Sequence, residues 1–196
     1  MTIASTVRKA GHPVEKLFLD RWSPRALSGA EIPQEDLLRL LEAARWAPSS
    51  YNNQPWRILY ARRNTAHWEL FFNLLVDANK TWAKDAAVLL VFISKTTFDY
   101  NGKPSRTHAF DTGAAWENLA LQAAAMGLIA HAMQGFDYDR AKTELGVPGD
   151  FEVQAMVAVG TPGRKEDLPA SLQGGETPNS RRSLAETAFE GRFKNS

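Results

Sequence analysis

Apolar positions recur along this chain at two different periods, and each period predicts its own elements. Leu37, Leu40, Leu41 and Ala44 fall at helical spacing, which predicts an amphipathic helix opened at Pro33 and closed at Pro48. Glu35 and Asp36 stand in its first turn, where the helix dipole favours acids. Residues 14–20 read as a short helix that stops before Ser23, because Pro24 disfavours helix in the residue preceding it. Residues 67–76 read as an amphipathic helix. Residues 111–126 read as a long helix, apolar nearly all round, with Gly127 as its stop. Asp137 or Asp139 can cap a further helix ending near Gly146. The strand signals are residues 56–61, a continuous apolar run over 86–94, a short segment at 128–133, and the alternation Val153, Ala155, Val157, Val159. The 86–94 run predicts a strand buried on both faces, and the alternation predicts a half-buried one.

These elements sum to an α+β domain in which helices dominate. Residues 1–13 read as an N-terminal arm and 14–196 as one domain. Residues 161–180, rich in glycine, proline and polar side chains, read as a surface excursion, followed by Arg181, Arg182 and a short amphipathic tail. Neither that tail nor the all-round apolar helix has obvious cover in a monomer of 196 residues, so a homodimer is expected.

Composition narrows the chemistry. The net charge of +1 provides no field for nucleic acid or anionic lipid, and neither is expected as a partner. With no cysteine, disulfides, thiolate catalysis and Cys-ligated metals are excluded. The four histidines show no metal-ligand spacing, and no metal is expected. The longest apolar run, 86–93, falls far short of the roughly 20 residues of a membrane helix. The N-terminal residues lack the apolar core of a secretory signal, so a cytoplasmic protein is the expectation. There is no dinucleotide-binding glycine fingerprint, P-loop or nucleophile elbow.

Three polar groupings remain. Arg21-Trp22-Ser23-Pro24-Arg25 sets two guanidinium forks and a hydroxyl on a stiff, non-helical stretch, suited to one anionic ligand or simply to a solvated turn. Pro48-Ser49-Ser50-Tyr51-Asn52-Asn53-Gln54-Pro55-Trp56 packs hydroxyls and amides between prolines, a set that suits a heterocycle with carbonyl and N–H edges, or an ordinary helix-to-strand loop. Arg181-Arg182 is a second phosphate-type cation pair or a surface pair.

In their order along the chain these pieces resemble the FMN-dependent nitroreductase family over residues 14–194. The matching stretches are RWSPRAL (21–27), LLRLLEAARWAPSSYNNQPW (37–56), DTGAAWENLALQAAAMGL (111–128), MQGFD (133–137), VAVGTP (157–162) and SRRSLAETAFEGRF (180–193). The resemblance implies a mixed central sheet wrapped by helices and an intertwined homodimer holding FMN at the subunit interface. It implies that Arg21 and Ser23, beside Trp22, face the ribityl phosphate side, and that Arg25 lies near flavin N1 and O2. Pro48, Ser49, Ser50, Asn52 and Gln54 would come from the other subunit. Asn79 would reach the ring or ribityl chain, unless it is a helix C-cap. Gln134 and Gly135, preceded by Met133 in the same segment, would present backbone N–H groups toward flavin N5 and O4. Gln134 stands where many members have Glu, which leaves its side-chain role open. Arg181 and Arg182 match the family's C-terminal phosphate clamp.

Hydride from NADH or NADPH would pass through N5 to a nitroaromatic, quinone or conjugated carbonyl by a ping-pong cycle, with no catalytic protein side chain. The alternatives are other flavin chemistry on the same fold (reductive dehalogenation or an oxygen-dependent reaction), or a flavin-binding redox sensor without turnover. The stretch 95–110 is compact for the family. Trp22, Trp82, Phe98, Phe110 and Trp116 are candidate ring-facing aromatics, each also readable as core.

Overall fold

The computed structural model describes residues 4–193; the first three and last three residues of the expected arm and domain lie outside the described residues. Eleven elements matter for the site. They are α1 (Lys16–Asp20), α2 (Gln34–Arg45), β1 (Trp56–Arg62), α3 (Trp68–Phe72), α4 (Asp77–Ala83), β2 (Val88–Lys95), α5 (His108–Ala125), β3 (Ile129–Met133), α6 (Tyr138–Glu144), β4 (Phe151–Gly160) and α7 (Ala170–Gln173).

The four strands form one sheet in the order β1-β2-β4-β3. All three pairings are antiparallel, so the parallel pairs of the expected mixed sheet are not found among the described residues. Alternate residues of β2 feed two cores. Val88, Leu90 and Phe92 pack against α2 (Leu37, Leu40, Ala44) and α5 (Ala115, Leu119, Ala123). Leu89, Val91 and Ile93 pack against Trp68, Phe71, Leu74, Trp82 and Ala141 on the opposite face. The continuous apolar run of β2 is the direct consequence of helices on both sides.

Two elements depart from the periodicity. The alternation in β4 predicts a half-buried strand, yet 156–160 are buried on both faces, because β4 lies between β2 and β3 under both helical layers. The helix expected over 67–76 ends at Phe72. Its next backbone groups bond across the chain instead of along a helix: Leu74 O accepts from Asp137 N (2.9 Å) and Val76 N donates to Gly135 O (3.1 Å). A second helix, α4, starts at Asp77. The long helix starts at His108, earlier than expected, and its carboxylate-bearing Asp111 is buried. One face of α5 meets the core, while Phe110 is 81% exposed. No helix among the described residues is long and apolar enough to cross a membrane.

Candidate functional site

The segment 21–27 lies between the end of β4 and the C-terminal stretch, and it is pinned from three sides. Leu27 bridges to Pro162, and Ser28 N donates to Thr161 O (3.0 Å). His131 of β3 bonds through Nδ1 to the carbonyl of Pro24 (2.9 Å), with its ring 4.6 Å from that of Trp82. The buried carboxylate of Glu176 accepts from the backbone N–H of Arg25 (2.8 and 3.1 Å) and of Ala26 (2.8 Å). An extended stretch in no sheet would otherwise leave those donors unpaired, so the acid does the work of a strand partner. Residues 161–180 are largely exposed, as expected of a surface excursion, but Leu168 and Glu176 are buried and dock the stretch against the segment. Nothing in the composition of 161–180 distinguishes Glu176 from a solvated acid.

A carbonyl only accepts, so Nδ1 of His131 carries the proton. Burial pushes His131 below the ordinary histidine value, and the nearby Arg25 charge works in the same direction. The ring is neutral at pH 7.

The pinned segment lines a cleft of about 270 Å3 that gathers Arg8, Arg21, Trp22, Ser23, Arg25, His131 and Arg181. Four arginines line it. Among the described residues the only carboxylate within ion-pair distance of any of them is Glu117 of α5, 3.5 Å from Arg21 Nε. Arg182 is exposed and does not line the cleft. Trp22 Nε1 is buried with no hydrogen-bond partner among the described residues. Arg8, in the arm, was invisible as a site residue, because its partners are backbone groups and an asparagine far along the chain.

The 48–54 loop makes a second cluster. Tyr51, Asn52 and Gln54 adopt positive φ (52°, 53° and 47°), a conformation that disfavours side chains with a Cβ. One local and one long-range bond hold it: Ser49 Oγ accepts from Gln54 N (3.0 Å), and Asp111 of α5, which also accepts from Thr107 Oγ1 (3.2 Å), accepts from Ser50 N (3.1 Å). Asn53 Oδ1 accepts from Asp99 N (2.9 Å), tying the loop to the turn that follows β2. Pro48, Asn52 and Gln54 are exposed, and Ser49 and Ser50 are half-buried. The loop opens on its own cleft of about 340 Å3, with Tyr51, Arg57 and Tyr100 among its lining.

The exit of β3 makes the third. Met133 is buried in the core and Gln134 is exposed. Asn79 Nδ2 donates to Gly135 O (3.0 Å). A Cβ on Gly135 would stand 2.6 Å from that same nitrogen, so only glycine permits the contact. Asn79 lies in the first turn of α4, which removes the reading of it as a helix C-cap. Of the candidate aromatics, Trp82 is core, Trp116 stands edge-on to Phe92, and Phe98 contacts Tyr51 and Tyr100.

One chain brings Arg21, Trp22, Ser23, Arg25 and Arg181 to a single cleft, and Asn79 to Gly135. It does not bring the 48–54 loop into that cleft.

An antiparallel sheet between two helical layers, with a pinned cationic segment on one flank, is the architecture of a known class of oxidoreductases. The model of the nitroreductase family matches residues 19–78 and 63–161, and the chain belongs to that family. It is 33% identical over 165 residues to protein DrgA of Synechocystis, covering 70% of this chain and 77% of that one. It is 28% identical over 176 residues to a protein named NADH dehydrogenase from Thermus thermophilus, covering 74% and 84%. A solved oxidoreductase containing FMN superposes with a TM-score of 0.93 at 48% identity, covering 96% of this chain and 97% of that one. A Desulfovibrio desulfuricans protein solved in complex with FMN superposes at 0.72 with 26% identity, covering 94% and 100%.

Proposed function

We propose that this protein is an FMN-dependent NAD(P)H oxidoreductase, a homodimer whose flavin sites each combine the cation cleft of one chain with the 48–54 loop of its partner. The observation that carries the reading is the cleft: four guanidiniums, one carboxylate at its edge, and the orphaned Trp22 Nε1 donor. Like charges are held this close where an anion offsets them, and a phosphomonoester offers charge and several acceptor oxygens at once. The residues therefore fit a phosphorylated flavin. Similarity to an oxidoreductase containing FMN and to a protein named NADH dehydrogenase supports the same reading.

When bound, FMN supplies two-electron chemistry, taking hydride from NADH or NADPH and returning it to a nitroaromatic, quinone or conjugated carbonyl. The chain's own residues bind and orient. Arg21 and Arg181 hold the phosphate, and Ser23 adds a hydrogen bond. Arg25, fixed at its backbone by Glu176, offers a cation to the pyrimidine edge, where negative charge accumulates on reduction. Gly135, whose missing Cβ makes room for Asn79, fixes the backbone exit of β3 that would face the ring. From the partner, Ser49, Ser50 and Asn52 supply neutral donors and acceptors for the ring's polar edges.

The test is anaerobic mixing of the purified yellow protein with NADH or NADPH. The flavin band should bleach, and its colour should return on adding a nitroaromatic or quinone. Release of FAD in place of FMN, or no bleaching by either nucleotide, contradicts it.

A further inference from the structure

We infer that Arg8 is a third cation of the phosphate end, beside Arg21 and Arg181, and latches the N-terminal arm and residues 177–181 over the cleft; this rests on the FMN reading above. The arm is docked. Ala4 is buried, and Ser5 N donates to Asp20 Oδ1 (3.1 Å). From that anchorage Arg8 reaches two distant parts of the chain. Its NH1 donates to the carbonyls of Leu19 (3.0 Å) and Arg21 (2.7 Å), while Nε and NH2 donate to Asn179 O (2.9 Å) and Oδ1 (3.2 Å).

The choice of acceptors is informative. A guanidinium carries five N–H donors, and four of these are used here. Every acceptor is a neutral oxygen, and no acid lies within ion-pair distance of Arg8 among the described residues. A full positive charge and one donor are left over in a cleft that already holds Arg21, Arg25 and Arg181. Burial, with the adjacent Arg181 and Arg21 charges, presses Arg8 below its ordinary value. A purely structural staple gains nothing from that repulsion, and an asparagine or glutamine could make some of the same bonds without it. A phosphate with three acceptor oxygens turns the repulsion into attraction. Because Arg8 also grips Asn179, the two chain ends close on the phosphate together, and exchange of the cofactor requires that grip to open.

The test compares FMN with riboflavin, which lacks only the phosphate, by flavin-fluorescence titration of the wild type, Arg8→Gln and Arg8→Lys. The expected result for Arg8→Gln is at least a tenfold loss of FMN affinity with less than a twofold loss for riboflavin. Arg8→Lys, which keeps the charge but not the fork, should fall between. Equal loss for both ligands, or no loss for either, overturns the proposal. Limited trypsin digestion of the wild type is independent of variant folding. FMN should slow cleavage after Arg8 and Lys9 more than riboflavin does, and equal protection or none overturns the latch. Should the wild type bind neither flavin, the FMN reading fails by itself, and inorganic phosphate replaces FMN in the digestion. Phosphate protection then sustains the role of Arg8, and its absence ends it.

Discussion

At the scale of single residues, the proposed site gives the arginines of one cleft separable jobs. Removing one partner of a buried, hydrogen-bonded charge costs about 2–5 kcal/mol. Arg21→Ala should therefore weaken FMN binding by several tens-fold or more, with little change in the potential of the flavin that remains. Arg25→Ala should instead lower the midpoint potential, because the reduced, anionic ring loses its cation while the oxidised ring loses less. A tenfold preferential loss of the reduced form corresponds to about 30 mV for a two-electron couple. Dye-linked titration of the FMN-saturated variants measures this. A shift confined to Arg21→Ala would reverse the two roles. His131 gives a pH signature. Its folded value lies below the ordinary 6.5, so the unfolded chain binds the extra proton first. Its contribution to stability is complete above about pH 6.5 and is lost as pH falls through the folded value. The urea midpoint should drop between pH 7.5 and 5.5 by more in the wild type than in His131→Gln; equal drops would contradict it. Arg21, Ser23 and Arg25 were legible from the sequence because their spacing is local. Glu176 and Arg8 were not, because their partners are backbone groups brought together only by the fold, across separations of about 150 and 170 positions.

At the scale of elements, the 48–54 loop carries backbone strain next to its polar groups. A left-handed non-glycine residue costs roughly 1 kcal/mol, less for asparagine. Asn52→Gly relieves that conformation while removing an amide that the proposed site would offer to FMN. It should keep or raise the urea midpoint of the apoprotein and still weaken FMN binding, a separation that urea titrations with and without FMN will show. A fall in apoprotein stability with unchanged FMN affinity would make the loop merely structural. Gly135→Ala forces Asn79 to move, and Gly135→Ala with Asn79→Ala should recover part of the lost flavin binding. The doubly buried β2 could be read from its apolar run because burial on both faces leaves a one-dimensional record. The break between α3 and α4 could not, since residues 67–76 keep helical periodicity through Leu74 and Leu75. What ends α3 is pairing with residues 135–137, far along the chain.

At the scale of the whole molecule, the chain leaves apolar groups uncovered and holds the cation cleft and the 48–54 loop apart. Phe110 is 81% exposed, Leu184 59% and Phe193 80%, an arrangement that a second copy would cover. Residues 181–193 carry only a short capped turn, Ser183 to Glu186, and little packing of their own. Deleting residues 183–196 should weaken both self-association and FMN binding, as read by sedimentation and flavin content. The measurement that tests the account most directly is complementation between Arg21→Ala and Asn52→Ala. Each variant alone should bind FMN weakly. Unfolded, mixed and refolded together, they should form mixed dimers in which one site combines an intact cleft with an intact loop. About a quarter of all sites should then regain wild-type affinity, from statistical pairing of two chains. If each flavin site were built within one chain, every site in the mixture would keep one defect. A titration of the mixture showing no tight sites would contradict the two-chain site.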